Sequence, residues 1–111
     1  MVFDMIKKDK KFKYIYTNGK SFANKKLVMY YIKNNEEKLQ IGISISKKVG
    51  KAVVRNRLRR LIKENIRLSE NIKNGYSIIF LARVGADDLN FDTIKSSMNH
   101  ILRKCELLEK K

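Results

Sequence analysis

The sequence predicts a single α+β domain with the element order α-β-β-α-β-α and room for one further short strand near residues 22–27. Three observations carry that expectation. The chain is 111 residues long, enough for one modest core and too short for two. It contains no proline and no repeat or Gly/Ser-rich stretch that would mark a linker. Runs with the two-residue period of a strand alternate with longer runs of helical period. One domain is therefore expected over 1–111, with short flexible ends.

Over residues 7–18, Phe12, Ile15 and Tyr16 recur at near-helical spacing, and Asn18-Gly19 supplies the left-handed backbone freedom that commonly ends a helix. Residues 27–33 are rich in β-branched and aromatic side chains, and Asn34-Asn35-Glu36-Glu37 is turn material. Leu39, Ile41, Ile43 and Ile45 then alternate with Gln40, Gly42, Ser44 and Ser46. Two strands paired antiparallel across that turn are expected. Residues 53–70 read as a helix with opposed faces. At about 100° per residue, Val54, Leu58, Leu61, Ile62, Asn65 and Leu68 share the core side, and Asn56, Arg59, Arg60, Lys63 and Arg67 form an arc opposite. Asn74-Gly75 resets the chain for a largely apolar strand over 76–83, whose composition places it centrally with both faces covered. Asp87-Asp88 are turn residues. Phe91, Ile94, Met98, Ile101, Leu102, Cys105 and Leu108 keep helical spacing, with Asn90 or Asp92 as N-cap.

Charge narrows the function. With 26 Lys and Arg against 11 Asp and Glu, the net charge is +15, far beyond what solubility requires, and such a surface calls for an anionic partner. Nucleic acid fits best and an anionic membrane second. The longest apolar runs, 27–32 and 78–82, are strand-sized and far short of the roughly 20 residues of a membrane helix. The N-terminus turns to charge at Asp4 and Lys7-Lys8 before any signal-like apolar stretch. Cys105 is the only cysteine; it cannot form an internal disulfide, agrees with a reducing cytosol, and is expected to be a small core residue. His100 is the only histidine and reads as a surface or capping residue. The carboxylates fall as Glu36-Glu37, Asp87-Asp88 and scattered singles, not as the cluster a two-metal nuclease needs. No transition-metal set is present either, so protein-borne catalysis has little support.

Five of the seven arginines lie within residues 47–67, and elsewhere positive charge is almost all lysine. The planar guanidinium fork pairs bidentately with phosphate oxygens and base edges, which an ammonium group cannot do. From 47 to 63 there are eight basic residues and no acidic one. A merely solvated helix face usually mixes signs, so this one needs a neutralising partner. Lys47, Lys48 and Lys51, with Gly50 between them, sit beside the helix N-terminus, where free N–H groups also favour phosphate. The spacing is not that of a P-loop. A second constellation is aromatic: Phe12, Tyr14, Tyr16, Phe22, Tyr30 and Tyr31 interleave with Lys8, Lys11, Lys13, Lys20, Lys25 and Lys26. Such a mixture suits the unstacked bases of a single strand, with roughly half of the rings expected in the core.

The run Ser44-Ile45-Ser46-Lys47-Lys48-Val49-Gly50-Lys51, leading into Arg55-Asn56-Arg57-Leu58-Arg59-Arg60, resembles the signature of the bacterial ribonuclease P protein subunit. There a Ser-x-Ser-Lys-Lys strand end passes through a Gly turn into an Arg-Asn-Arg helix. The likeness extends over about residues 5–108 and departs at Lys11, where the family often carries an acid. It implies an α–β sandwich with a left-handed β-α-β crossover. It also implies that a large catalytic RNA with bound Mg²⁺ removes the 5′ leader of precursor tRNA in the cytoplasm. The protein would serve recognition and assembly and require no protein partner. By position, Arg55, Asn56, Arg57, Arg59, Arg60 and Lys63 would meet the catalytic RNA, and Phe12, Tyr16 and Tyr30 would receive the leader. Lys47, Lys48, Lys51 and Arg67 join the RNA-facing set on charge. No protein ligand for a metal can be assigned. The alternative is a structural RNA-binding protein of ribosomal type.

Overall fold

Tyr76–Ala82 is apolar on both sides: Ile78, Ile79 and Phe80 are fully buried and Ala82 is 3% exposed. A strand of that kind is stable only between two others, with a layer on each face. In the computed structural model, which describes residues 1–109, it takes that place. The strands are β1 (Asp4–Met5), β2 (Lys20–Ala23), β3 (Leu27–Lys33), β4 (Gln40–Ile45) and β5 (Tyr76–Ala82), in one sheet of order β1-β4-β5-β3-β2. The helices are α1 (Asp9–Asn18), α2 (Ala52–Leu68) and α3 (Phe91–Lys104), with a 3₁₀ turn at Ala86–Asp88. The last two residues of the expected domain, and any flexible end there, lie outside the described residues.

The expected pairing of β3 with β4 does not form. β5 lies between them, antiparallel to β3 (Tyr30 opposite Ile79) and parallel to β4 (Gly42 opposite Ile79). The two still run in opposite directions, but the link over residues 34–39 spans two strand spacings, about 10 Å, and β5 fills the slot that buries both its faces. Parallel neighbours require a crossover, which α2 provides between β4 and β5. The anticipated extra strand is β2, paired antiparallel with β3 at the sheet edge. β1 pairs with β4 through only two residues, too few for any periodicity to show in sequence.

The two sheet faces carry separate cores. On one, Leu27, Met29, Ile41, Ile43, Ile78 and Phe80 meet Leu58, Ile62 and Ile66 of α2 and Ile94, Met98, Ile101 and Leu102 of α3. On the other, Ile79 packs with Ile6 and Ile15, surrounded by Phe12, Tyr30 and Ile32. The sandwich therefore has α2 and α3 on one side of the sheet and α1 on the other.

Helix ends differ from the periodic expectation for local reasons. Gly19 is extended (φ −81°, ψ 169°), not left-handed. It is needed for close approach, since a Cβ there would lie 2.7 Å from the Ile15 carbonyl oxygen and 2.8 Å from that of Tyr31. On α2 the buried residues are Leu58, Ile62, Asn65 and Ile66. Leu68 is 55% exposed, because this face is centred about 100° away from it. Asn65 is satisfied at 3.0 Å and 3.3 Å from the carbonyls of Leu61 and Phe91, to which its amide donates. α3 ends at Lys104, short of the expected Leu108. Glu106 adopts φ 56° and turns the chain back, so that Leu107 is buried and Leu108 bridges Ile72. At its start, Asn90 is the N-cap: its side chain accepts from Thr93 N at 3.0 Å, and Thr93 Oγ1 accepts from Asn90 N at 2.9 Å.

Asn90→Ala removes one half of this reciprocal cap, and we expect it to lower stability by about 0.5–2 kcal/mol in urea unfolding with an unchanged m-value.

Candidate nucleic-acid interface

The first surface begins at the end of β4. Val49 is 5% exposed and its N–H donates to the Ser46 carbonyl at 3.1 Å, so the turn bearing Lys47 and Lys48 is pinned to the core while both lysines stay exposed. A Cβ at Gly50 would come within 3.0 Å of Val54 Cγ1, which is why the turn can tuck against α2. Lys51 is the N-cap of α2 and makes no side-chain capping bond, leaving the first N–H groups of the helix open to an anion. Asn56, Arg59, Arg60, Lys63 and Arg67 lie exposed along one arc of α2, and Arg55 and Arg57 are half-buried at its borders.

These residues do not all stand free. Arg57 donates from Nη1 to the Leu89 carbonyl at 2.7 Å and from Nη2 to the Asp87 carbonyl at 2.6 Å, fastening the 3₁₀ turn to α2. Lys26 holds the other side of that turn, 3.0 Å from the Asp88 carboxylate and 2.6 Å from the Gly85 carbonyl. The hydrogen bond and charge of Lys26 keep the Asp88 pKa below the usual carboxylate range. The pair's contribution is therefore present at neutral pH and lost as pH falls through that depressed value. Arg67 Nε donates to Glu64 at 3.0 Å, a hydrogen bond that lowers the Glu64 pKa and partly neutralises the arc at that end. Arg59 donates to Asn56 Oδ1 at 3.3 Å.

The second surface lies on the opposite sheet face. Phe12 and Tyr16, one helical turn apart on α1, have ring centroids 6.3 Å apart, and Tyr30 of β3 meets Tyr16 edge-on at 4.8 Å and 84°. The three aromatics picked out by sequence are thus brought together. Gly42 makes room for them: a Cβ there would sit 2.8 Å from the Phe12 ring. Lys11 donates to Gln40 Oε1, which also accepts from Ser77 Oγ at 2.8 Å, tying α1 to β4 and β5. Register carries the floor onward from Tyr30 through Val28, Leu81 and Ser44, none of which is fully buried. A shallow groove continues there along Val28, Leu81, Ser46 and Arg83. Sequence reading missed Val28 and Leu81; their strand-side partner Ser44 was the available signal. Of the other rings, Tyr14 is 58% exposed and Phe22 packs on the main core, edge-on to His100 at 6.0 Å. No group of three or more His, Cys, Asp or Glu side chains is gathered for a metal among the described residues. Nor is any described helix long and apolar enough to cross a membrane.

An arginine-bearing helix face, a lysine turn at its N-terminus and an aromatic groove on one small α+β domain define an RNA-binding protein. The profile of the Ribonuclease P family matches residues 3–106, and this chain belongs to that family, whose members work with an RNA subunit in tRNA 5′ processing. It is 50% identical over 104 residues to the ribonuclease P protein component of Clostridioides difficile strain 630, covering 92% of this chain and 91% of that one. It is 44% identical over 107 residues to that of Caldanaerobacter subterraneus, covering 96% and 92%. The RNase P protein of Staphylococcus aureus superposes with a TM-score of 0.87 at 36% identity, over 95% of this chain and 97% of that one. The Thermotoga maritima protein gives 0.83 at 26%, over 91% and 96%.

Arg57→Ala strips two carbonyls of a charged donor. We expect a loss of about 1–3 kcal/mol in chemical unfolding, with Arg57→Lys recovering part of it.

Proposed function

We propose that this chain binds the catalytic RNA of ribonuclease P through the α2 arc and holds the single-stranded 5′ leader of precursor tRNA in the aromatic groove. The observation that carries this reading is the joining of Phe12, Tyr16 and Tyr30 to an uncovered sheet floor that leads toward the Lys47-Lys48 turn. Arg55, Asn56, Arg59, Arg60 and Lys63, with Lys47, Lys48 and Lys51, neutralise phosphates of the folded RNA. Arg57, at the border of the arc, and Arg67, at its far end, act partly through the Leu89 and Asp87 carbonyls and the Glu64 carboxylate that they hold. A single strand leaving the catalytic RNA's active centre meets rings on which its bases stack, each worth about 1–3 kcal/mol.

Hydrolysis itself is assigned to the RNA. Mg²⁺ is assigned mainly to the RNA subunit, whose phosphates are the hard oxygen ligands this ion prefers. The protein supplies positive charge and position. A reducing, cytoplasmic setting agrees with the single unpaired Cys105.

The direct test mixes the protein with a bacterial ribonuclease P RNA at low Mg²⁺ and follows leader cleavage of a precursor tRNA, with each component alone as control. Cleavage in the mixture only is expected; cleavage by metal-loaded protein alone would overturn the reading, and no stimulation by folded protein would favour a ribosomal-type role. For Arg59→Ala we expect weaker association with the catalytic RNA and a log–log salt slope reduced by about 0.7–0.9. Tyr16→Ala should leave that association intact and cut the preference for precursor over mature tRNA about 5- to 150-fold, as read by paired binding titrations.

A further inference from the structure

β3 carries aromatic rings on both faces, and only one face is used by the reading above. Tyr30 and Tyr31 are consecutive and therefore point to opposite sides of the sheet; Tyr30 stands beside α1, and Tyr31 packs against the other core. Register places Lys20 of β2 directly opposite Tyr31, and Lys33 of β3 directly opposite Tyr76 of β5. The two tyrosine rings have centroids 6.5 Å apart and planes inclined at 53°. Each is half-buried, while Lys20 and Lys33 are exposed and form no salt bridge among the described residues.

Between these side chains lies a hollow of about 230 Å³, closed on one side by the end of α1 at Asn18-Gly19. That wall is fixed, since Gly19 is pressed against the Tyr31 carbonyl. The hollow is smaller than the roughly 300–1,000 Å³ of a drug-sized site and on the scale of one flat heterocycle. Burial raises the pKa of the Tyr31 hydroxyl, so that wall carries no charge at pH 7. A lysine rim around an aromatic hollow repels a second copy of a chain with net charge +15 and attracts a polyanion that carries rings.

We propose that the Tyr31–Tyr76 hollow holds one unpaired base of a bound RNA, with Lys20 and Lys33 on the phosphates to either side. This rests on the reading of the chain as an RNA-binding subunit and adds a contact beyond the leader groove, on rings that face the opposite side of the sheet from Tyr30.

The test titrates the full-length protein with a ribonuclease P RNA, and separately with a mixed-sequence single-stranded RNA hexamer, across a salt series. Lys20→Ala with Lys33→Ala, at exposed positions, should reduce the log–log slope for single-stranded RNA by about 0.7 per lost contact. Tyr76→Leu keeps an apolar body and removes the stacking face, and should weaken binding about 5- to 150-fold. Should Tyr76→Leu fail to fold, as judged by its thermal midpoint, photo-crosslinking of 4-thiouridine RNA to wild-type protein replaces it. Adducts on Tyr31 or Tyr76 then support the site, and adducts confined to the other face overturn it. Unchanged affinity and slope in the lysine variant, with Arg59→Ala still weakening binding to the catalytic RNA, would sink the hollow and leave the RNA-binding reading standing. If Arg59→Ala were silent toward the catalytic RNA and Tyr16→Ala silent toward the single-stranded hexamer, that reading would fall as well. A loss in the lysine variant with none in folded Tyr76→Leu would reduce the effect to diffuse electrostatics and also reject the base site.

Discussion

The two-sided burial of β5 is the constraint on which the rest of the molecule depends. Ile78 and Phe80 close the core under α2 and α3, and Ile79, between them in sequence, closes the one under α1. Because the strand must be covered on both faces, it takes the middle of the sheet and separates β3 from β4. The parallel β4–β5 pair then requires a crossover helix, and that helix is α2, which carries the arginines. The same strand thus positions the aromatic groove, through Ile79 and Tyr30, and the basic arc, through the connection it imposes.

Crowding guanidinium groups on one helix is unfavourable in isolation, and the fold offsets it by anchoring the helix elsewhere. Leu58, Ile62 and Ile66 are almost wholly buried, Asn65 ties α2 to the start of α3, and Arg57 turns one of the charges inward onto carbonyls. The remaining cations are held on a stiff support, so little side-chain and backbone order remains to be lost on meeting a phosphate. Lysines at the turn before the helix sit on a backbone pinned by Val49, which extends that support past the helix N-terminus.

Much of this was legible in sequence, and the parts that were not have identifiable causes. The faces of α2 follow from periodicity, as does the central character of β5. The family resemblance in the stretch from Ser44 to Arg60 leads to the same family that the relatives at 44–50% identity show. Strand partners were not legible: alternation in Leu39, Ile41, Ile43 and Ile45 reveals which side is buried but not which neighbour lies beside it. The reversal at Glu106 was hidden because a non-glycine residue adopts the left-handed conformation there, and Leu107 and Leu108 mimic a continued helix. Gly19 and Gly42 read as conformational freedom or as mere alternation, yet both matter for the atoms that press against them. For the site, residue type disclosed Arg57 but not its carbonyl partners, which come from residues thirty or more positions away.

The inequality of the two cores has a dynamic consequence. Among the described residues, α1 is held by a cluster of three buried residues, whereas the opposite face gathers twenty-one. In native-state hydrogen exchange the amides of α1 should therefore open as a separate cooperative unit at lower free energy than those of α2 and β5. A ligand lying across Phe12, Tyr16 and Tyr30 bridges that unit to the sheet and couples its opening to ligand release. The aromatic groove is in this sense built at the junction between the most and the least persistent layers of the molecule, and any affinity there includes the work of keeping the thinner layer closed.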